Sequence, residues 1–253
     1  MPTCPHDRLL NEVKQRVADG RVLELIAAYL KAKVMDGMQE MQPEMGSPQG
    51  SSISPLLSNI YLNPVDHQMA QTGWQMIRYE DDFVVLCRTR EEAEQALALV
   101  TELVEVRGLH MHPDKTRIVD ASQPGGFDFL GYHFECGKHW PRAASLAKFR
   151  DNVRARTPRS SGQSLEDIIT KLNYFLRGWF NYFKHSHWPI FGTLDGFVRR
   201  RLRSILRVRQ GFRGMSPGGA DHQRWPNAFF ADLGLFALKT AHVTAISALT
   251  KIH

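Results

Sequence analysis

Cysteine is scarce in this chain. Three occur in 253 residues, Cys4, Cys87 and Cys136, with no Cys-x-x-Cys pair. That argues against a disulfide framework or a cysteine-ligated zinc module and suits a reducing cytoplasm. No stretch approaches the roughly 20 apolar residues that a membrane-spanning helix needs. The opening Met1-Pro2-Thr3-Cys4 lacks the charged-then-apolar pattern of a signal segment, and no internal repeat is visible. Acidic residues thin out over one long stretch: residues 138–213 hold 17 Lys/Arg against 4 Asp/Glu, while the remainder holds 15 against 22. A segment so basic, interleaved with Trp, Tyr and Phe, points to a nucleic-acid surface. An anionic membrane is a weaker fit, since no basic helix with an exposed apolar face and no core of its own is present.

What the chain does have is 43% hydrophobic residues, enough for one sizeable core or two modest ones. Residues 5–33 read as two helices split at Gly20, with Leu9, Leu10, Val13 and Val17 on one face of the first and Leu23, Ile26 and Leu30 on one face of the second. Residues 34–45 suggest a short strand pair. The Gly- and Pro-punctuated loop Gly46–Pro55 feeds a helix, with Ser54 as expected N-cap and Pro55 as first helical residue. Such a loop approaches a phosphate closely or serves only as a connection.

Two short runs rich in aromatic and β-branched residues, Trp74–Tyr79 and Phe83–Cys87, flank Glu80-Asp81-Asp82. Read as a hairpin, they put adjacent carboxylates at its tip, where hard cations such as Mg²⁺ find oxygen ligands; taken alone, the triplet reads first as a solvated acidic turn. Thr89-Arg90-Glu91-Glu92 is a capping box for a helix with Ala93, Leu97, Val100 and Val104 on one face, ending at Gly108. Gly108–Val119 reads as a turn and a strand, in which His110 and His112 share a face without further metal ligands nearby; Lys115 is by default an exposed turn lysine. Phe127–Phe134 alternates as a strand or hairpin with close backbone approach at Gly131.

Beyond residue 143 a basic helix exits through a polar linker, Thr157–Gln163, into a helix capped by Ser164 that carries Ile168, Leu172, Phe175, Trp179 and Phe183 as a core stripe. Arg177, Tyr182 and Lys184 lie off that stripe and are available to a ligand. Residues 195–209 set Val198, Leu202 and Ile205 against Arg199, Arg200, Arg203 and Arg207, an arginine face suited to phosphate. The tail from 211 ends in an apolar run, Phe229–Leu249, read as a helical packing element.

The order of these features resembles that of bacterial group II intron-encoded reverse transcriptases: a Pro-Gln-Gly loop before a helix, Tyr-x-Asp-Asp, a helix, Gly-Leu-x-x-x-Pro-x-Lys-Thr, then Phe-x-Phe-Leu-Gly-Tyr. Leu176-Arg177-Gly178-Trp179-Phe180-Asn181-Tyr182-Phe183 looks like their maturase, or thumb, segment. The resemblance covers about residues 5–210. It implies an α+β fold: a partial antiparallel palm over 1–137, a basic connection over 138–163, and a helical thumb/maturase domain with tail over 164–253. It also implies an RNA-directed DNA polymerase that binds intron RNA to aid splicing and mobility, with an RNA template, DNA primer and dNTPs as partners.

Residue by residue, the resemblance makes Asp81 and Asp82 metal ligands for Mg²⁺ and sets Tyr79 beside the primer end. Pro48, Gln49 and Gly50 fall in the loop that positions template and nucleotide. Lys115 matches a proton donor assisting pyrophosphate departure, and Phe129, Leu130 and Gly131 match the primer grip. Beside the resemblance, the basic helix faces offer Arg177, Lys184, Arg199, Arg200, Arg203 and Arg207 as RNA-binding cations. Glu80 departs from the usual Ala. In the family, Pro5–Leu10 should follow a strand bearing the first catalytic aspartate, in a pattern like Asp-x-x-x-x-Phe-Asp; here Met1-Pro2-Thr3-Cys4 stands there. A two-metal site needs that carboxylate. The expectation is therefore that this chain alone polymerises poorly and that a separate fingers fragment completes it. The alternatives are an RNA-binding maturase remnant that does not polymerise, or a decayed product of a truncated mobile element.

Overall fold

The structure, a computed structural model, describes residues 4–32, 34–36, 39–41, 52–187, 189–212 and 219–250. It divides into two compact units, Met1–Asp120 and Ala121–His253. The anticipated domain boundary lay at 137; the strands just before it group with the second unit.

In the first unit, α1 (His6–Lys14) and α2 (Gly20–Leu30) are separated at the expected point. Asp19 caps α2 by accepting from the amides of Arg21 and Val22. Two short antiparallel strands follow, β1 (Val34–Asp36) and β2 (Gln39–Met41). α3 spans Ser54–Gln71, and here the cap differs from expectation. Ile53 is the N-cap and Ser54 is already helical, so Pro55 sits one position further in, where its missing N–H is still among the orphan donors of the first turn.

α3 leads into the hairpin β3 (Gln75–Tyr79) and β4 (Asp82–Leu86), and α4 (Arg90–Val106) returns beneath it. Thr89 caps α4 through the amide of Glu92, while the Glu92 carboxylate accepts from Arg88. The helix ends in a Schellman closure, the amides of Gly108 and Leu109 donating to the carbonyls of Glu105 and Val104. Gly108 has φ +73°, and a Cβ there would stand 3.3 Å from both Pro5 and Arg8 side-chain atoms.

α1 packs against α2 and α3, α3 against α4 and β3, and α4 against β4. Leu9, Val13, Leu30, Leu57, Tyr61, Met69 and Val100 form the buried centre, with Met76, Phe83 and Val85 of the hairpin packed against it. Each such aliphatic or aromatic side chain contributes about 1.5–3 kcal/mol on leaving water. Arg8 donates to the carbonyl of Val106 and Arg107 pairs with Glu12, so polar ties as well as burial join α1 to the end of α4. Of the turn and strand expected over residues 108–119, only the turn forms. Pro113 opens a turn in which the amides of Lys115 and Thr116 both fold back on the carbonyl of His112, which removes them from any ladder.

The second unit begins with a three-stranded antiparallel meander, β5 (Phe127–Phe129), β6 (Tyr132–Glu135) and β7 (Lys138–Pro141). The helices α5 (Ala143–Arg156), α6 (Leu165–Phe183) and α7 (Pro189–Arg209) follow, then α8 (Ala220–Arg224), α9 (Asn227–Asp232) and α10 (Leu238–Thr250). Ser164 caps α6 through the amide of Asp167, as anticipated. Its stripe is core: Ile168, Leu172, Leu176 and Phe180 are buried with Phe149, Phe191, Leu194, Val198, Leu202 and Ile205, and Phe175 and Trp179 pack against them.

The tail is part of this core, with Trp225, Phe230 and Leu238 buried in it. Asp195 of α7, nearly buried, accepts from the amides of Leu238 and Lys239 and so caps α10 from another helix. Burial raises its pKa above the usual aspartate value, against the opposing effect of those two amides. Asn173 of α6 both donates to Gly234 and accepts from Phe236. Even the polar linker is pinned, since Arg201 donates to the carbonyl and hydroxyl oxygens of the buried Thr157.

Candidate active site and nucleic-acid interface

In the β3–β4 hairpin, Tyr79 stands directly opposite Asp82, and Glu80-Asp81 form a two-residue turn. The pleat sends alternate side chains to opposite faces. Met76 and Arg78, paired with Val85 and Phe83, point toward the helices; Gln75, Ile77 and Tyr79, paired with Leu86, Val84 and Asp82, point away. The outward face is thus an open strip, with Tyr79 59% exposed, ending at the exposed Asp81 and Asp82. Both carboxylates sit on consecutive residues whose direction the turn fixes.

That turn is conformationally costly. Glu80 has φ +55°, a left-handed value at the first turn position, where glycine is the residue without penalty. Arg78 lies beneath it with its side chain only 10% exposed. Its Nε donates to Asp66 Oδ1 at 2.7 Å and its Nη2 donates to Asp66 Oδ2. Its Nη1 donates to the Glu80 carbonyl at 2.7 Å and to Asn59 Oδ1 at 3.0 Å. Sequence reading passed over these three residues. A signal existed: Arg78 is the charged residue at an inward position of an otherwise alternating strand, and a charge so placed requires a partner.

The other expected site residues are distributed as follows. Pro48, Gln49 and Gly50 lie outside the described residues. Lys115 is exposed on the separate turn after Pro113. Phe129, Leu130 and Gly131 form the tip of the β5–β6 hairpin in the second unit, with Leu130 at φ +47° and Gly131 at φ +80°. Tyr182 donates to the Leu130 carbonyl at 2.8 Å, Tyr132 donates to the Tyr182 carbonyl, and the two rings stack with centroids 5.9 Å apart. A Cβ on Gly131 would meet Ser145 Oγ at 3.2 Å and Phe183 at 3.6 Å, so the expected close approach at this glycine is present. Tyr182, expected to be available to a ligand, spends its hydroxyl on this turn.

The cations divide into two groups. Arg177 on α6 and Lys184 at its C-cap are exposed, with the Arg177 guanidinium 4.7 Å from the Phe236 ring. Arg200 is exposed and Arg199 half-buried on α7. Arg203 requires correction as a nucleic-acid contact: it is 3% exposed, donates to the Trp225 carbonyl and Asn227 Oδ1, and lies over Phe230. Arg207 pairs with Asp221 at 2.9 Å with both side chains largely covered. The tail folds over this part of α7, so these two arginines hold α8 and α9.

Asp81 and Asp82 supply hard oxygen donors of the kind Mg²⁺ prefers, two of the six that octahedral coordination requires. Among the described residues no three His, Cys, Asp or Glu side chains cluster to hold a metal ion. The pair therefore fits as part of a site whose remaining ligands are water, substrate phosphates or further carboxylates.

Comparison with known proteins gives two family matches. Residues 3–134 match the reverse transcriptase (RNA-dependent DNA polymerase) family, which spans the hairpin and the helices around it. Residues 146–211 match the group II intron maturase-specific domain. The chain belongs to the reverse transcriptase family, whose members are RNA-directed DNA polymerases and generally use Mg²⁺. The second match adds a similarity to the maturase-specific domain found in group II intron proteins.

Among curated relatives, Protein YkfC of Escherichia coli is 29% identical over 170 residues, covering 51% of this chain and 43% of its own. The putative COX1/OXI3 intron 2 protein of Saccharomyces cerevisiae is 30% identical over 233 residues, covering 68% and 27%. The group II intron-encoded protein LtrA of Lactococcus lactis is 35% identical over 66 residues, covering 26% and 11%. The chain thus spans less than half the length of each of these relatives.

Proposed function

We propose that this chain carries the metal-binding turn of an RNA-directed DNA polymerase and an intron-RNA grip, acting in the cytoplasm on an RNA template, a DNA primer and dNTPs. The observation that carries the reading is the hairpin itself: in a reverse transcriptase, consecutive carboxylates stand at the end of an open strip beside an exposed tyrosine. Asp81 and Asp82 would hold Mg²⁺, which supplies charge neutralisation at phosphate oxygens during nucleotidyl transfer. Tyr79, on the face of Asp82, borders the primer end. Lys115 is the proton donor toward departing pyrophosphate, Pro48, Gln49 and Gly50 position template and nucleotide, and Phe129, Leu130 and Gly131 grip the primer. Positioning and electrostatics dominate phosphoryl-type transfer, so these placements matter more than any covalent chemistry.

Primer extension on an RNA template, with this chain and a fingers fragment from a relative, tests the reading. Asp81→Asn and Asp82→Asn should each lower the rate by more than about 100-fold, a larger loss than removal of an outer partner of a metal ligand. Full activity in Asp81→Asn would refute it.

A second reading, RNA binding without polymerisation, is favoured by the exposed Arg177, Lys184 and Arg200 in a chain matching the maturase-specific domain. Converting those three to Ala should flatten the dependence of RNA affinity on log salt by about two to three units, since each phosphate contact adds roughly 0.7–0.9. RNA binding and salt dependence unchanged by these three substitutions would count against this second reading. Arg203 is unsuitable for this experiment because its loss unpairs Trp225 and Asn227 in the fold.

A further inference from the structure

We infer that Arg78, with Asp66 and Asn59, is a positioning clamp for the metal-binding turn; this rests on the reading of Asp81 and Asp82 given above. Asn59 and Asp66 are seven residues apart on α3, two helical turns on one face. A single guanidinium spans from them to the turn: two nitrogens engage both Asp66 oxygens, and the third divides between Asn59 and the Glu80 carbonyl. This is a fork geometry that Lys cannot reproduce, because an ammonium offers no planar array of donors.

The target of the fork matters more than the ion pair. Glu80 occupies a left-handed conformation without being glycine, and such conformations persist only where surrounding structure over-determines them. The described bond from Arg78 reaches the carbonyl of that same residue, the peptide leading directly into Asp81. Holding this carbonyl sets the peptide plane, and with it the direction in which the Asp81 and Asp82 carboxylates leave the backbone. The clamp also ties the turn to the helix that begins four residues after Gly50. Arg78 is thus a positioning residue that acts through the turn.

The experiment uses the full chain with Mn²⁺ alone as spectroscopic probe, free Mn²⁺ being read by electron paramagnetic resonance. Amide hydrogen exchange at Glu80–Asp82 is measured in parallel. Arg78→Lys is expected to speed exchange at those amides and to weaken Mn²⁺ binding by about 10-fold, the lower range for partners that orient metal ligands. Asp66→Asn, a milder change that keeps the shape, should shift both in the same direction.

The decisive variant is Arg78→Lys combined with Glu80→Gly. Glycine adopts the turn without assistance, so Mn²⁺ affinity should recover in part although the ion pair stays broken. Unchanged exchange and affinity in Arg78→Lys would overturn the clamp. So would a loss of affinity that Glu80→Gly leaves untouched, because that pattern belongs to general destabilisation. If the unsubstituted chain binds no Mn²⁺ at the turn, the metal reading fails; the exchange arm then decides the clamp alone, with unaltered protection in Arg78→Lys counting against it.

Discussion

Two hairpins in this molecule pose the same backbone problem and meet it differently. In β3–β4 the turn is Glu80-Asp81; in β5–β6 it is Leu130-Gly131. Each places a non-glycine residue in the left-handed region at its first position, Glu80 at φ +55° and Leu130 at φ +47°. In each, a side chain donates to the carbonyl of that residue: Arg78 to Glu80 and Tyr182 to Leu130. The difference lies at the second position. Gly131 takes a second positive φ and gives the doubly left-handed turn that matches strand twist, as Cys136-Gly137 does at the next corner of the same meander. Asp81 forgoes that relief. The β5–β6 turn is covered by Ser145, Phe183 and Tyr182, whereas the β3–β4 turn ends in exposed carboxylates. Exposed at its tip, the β3–β4 turn is supported from beneath, through Arg78.

The sharpest way to break this comparison is at Gly131. Gly131→Ala forces an L side chain to φ +80° and into Ser145; the expected loss is about 2 kcal/mol or more in the second unit, read from the denaturant midpoint. A neutral result would mean the covered turn is not conformationally specified. A smaller effect is expected for Tyr182→Phe, which deletes the bond to Leu130 and should cost about 1 kcal/mol. Adding Leu130→Gly should recover about 0.5–1 kcal/mol of it by relieving the left-handed leucine. Absence of recovery would show that Tyr182 stabilises by packing alone.

The gentlest test is alkaline. Burial, and then the nearby Tyr182, push the Tyr132 hydroxyl up from 10.0 to about 12. Between those values the folded chain retains a proton that the unfolded chain has lost, so stability falls as pH rises through that window. Tyr61, whose hydroxyl reaches the Arg107 carbonyl, is likewise pushed up to about 12, chiefly by burial. Tyr132→Phe should flatten the alkaline decline of the second unit and Tyr61→Phe that of the first, as followed by unit-resolved hydrogen exchange. If one substitution flattens both, the units do not unfold separately.

Much of the local structure was legible because it depends on neighbours in sequence. The split at Gly20, the Thr89 and Ser164 caps, the α6 stripe and the hairpin around Asp81 all follow from spacing of three to four, or of two, between like residues. The expectations that failed share a cause. Of the turn and strand read over 108–119, the strand was lost once Pro113 withdrew a donor and the next amides found His112. Ser54 lost the cap position by one residue, a difference that pattern reading does not resolve. Helical spacing grouped Arg199, Arg200, Arg203 and Arg207 on one face, yet two of them are covered by the tail. A charge pattern cannot show which side of an arginine-rich helix a distant segment will occupy.

By itself, then, the sequence determined the family, the two carboxylates and the hairpin that carries them, since all three are written in short contiguous motifs. Only the tertiary structure decided what holds that hairpin. Arg78, Asp66 and Asn59 are drawn from positions up to 19 apart and from two kinds of element, and only the packing of β3 on α3 brings their donors and acceptors to a single turn. It likewise decided that Asp195, Arg203 and Arg207 serve the interior, because burial forces a polar group to find partners wherever the fold supplies them.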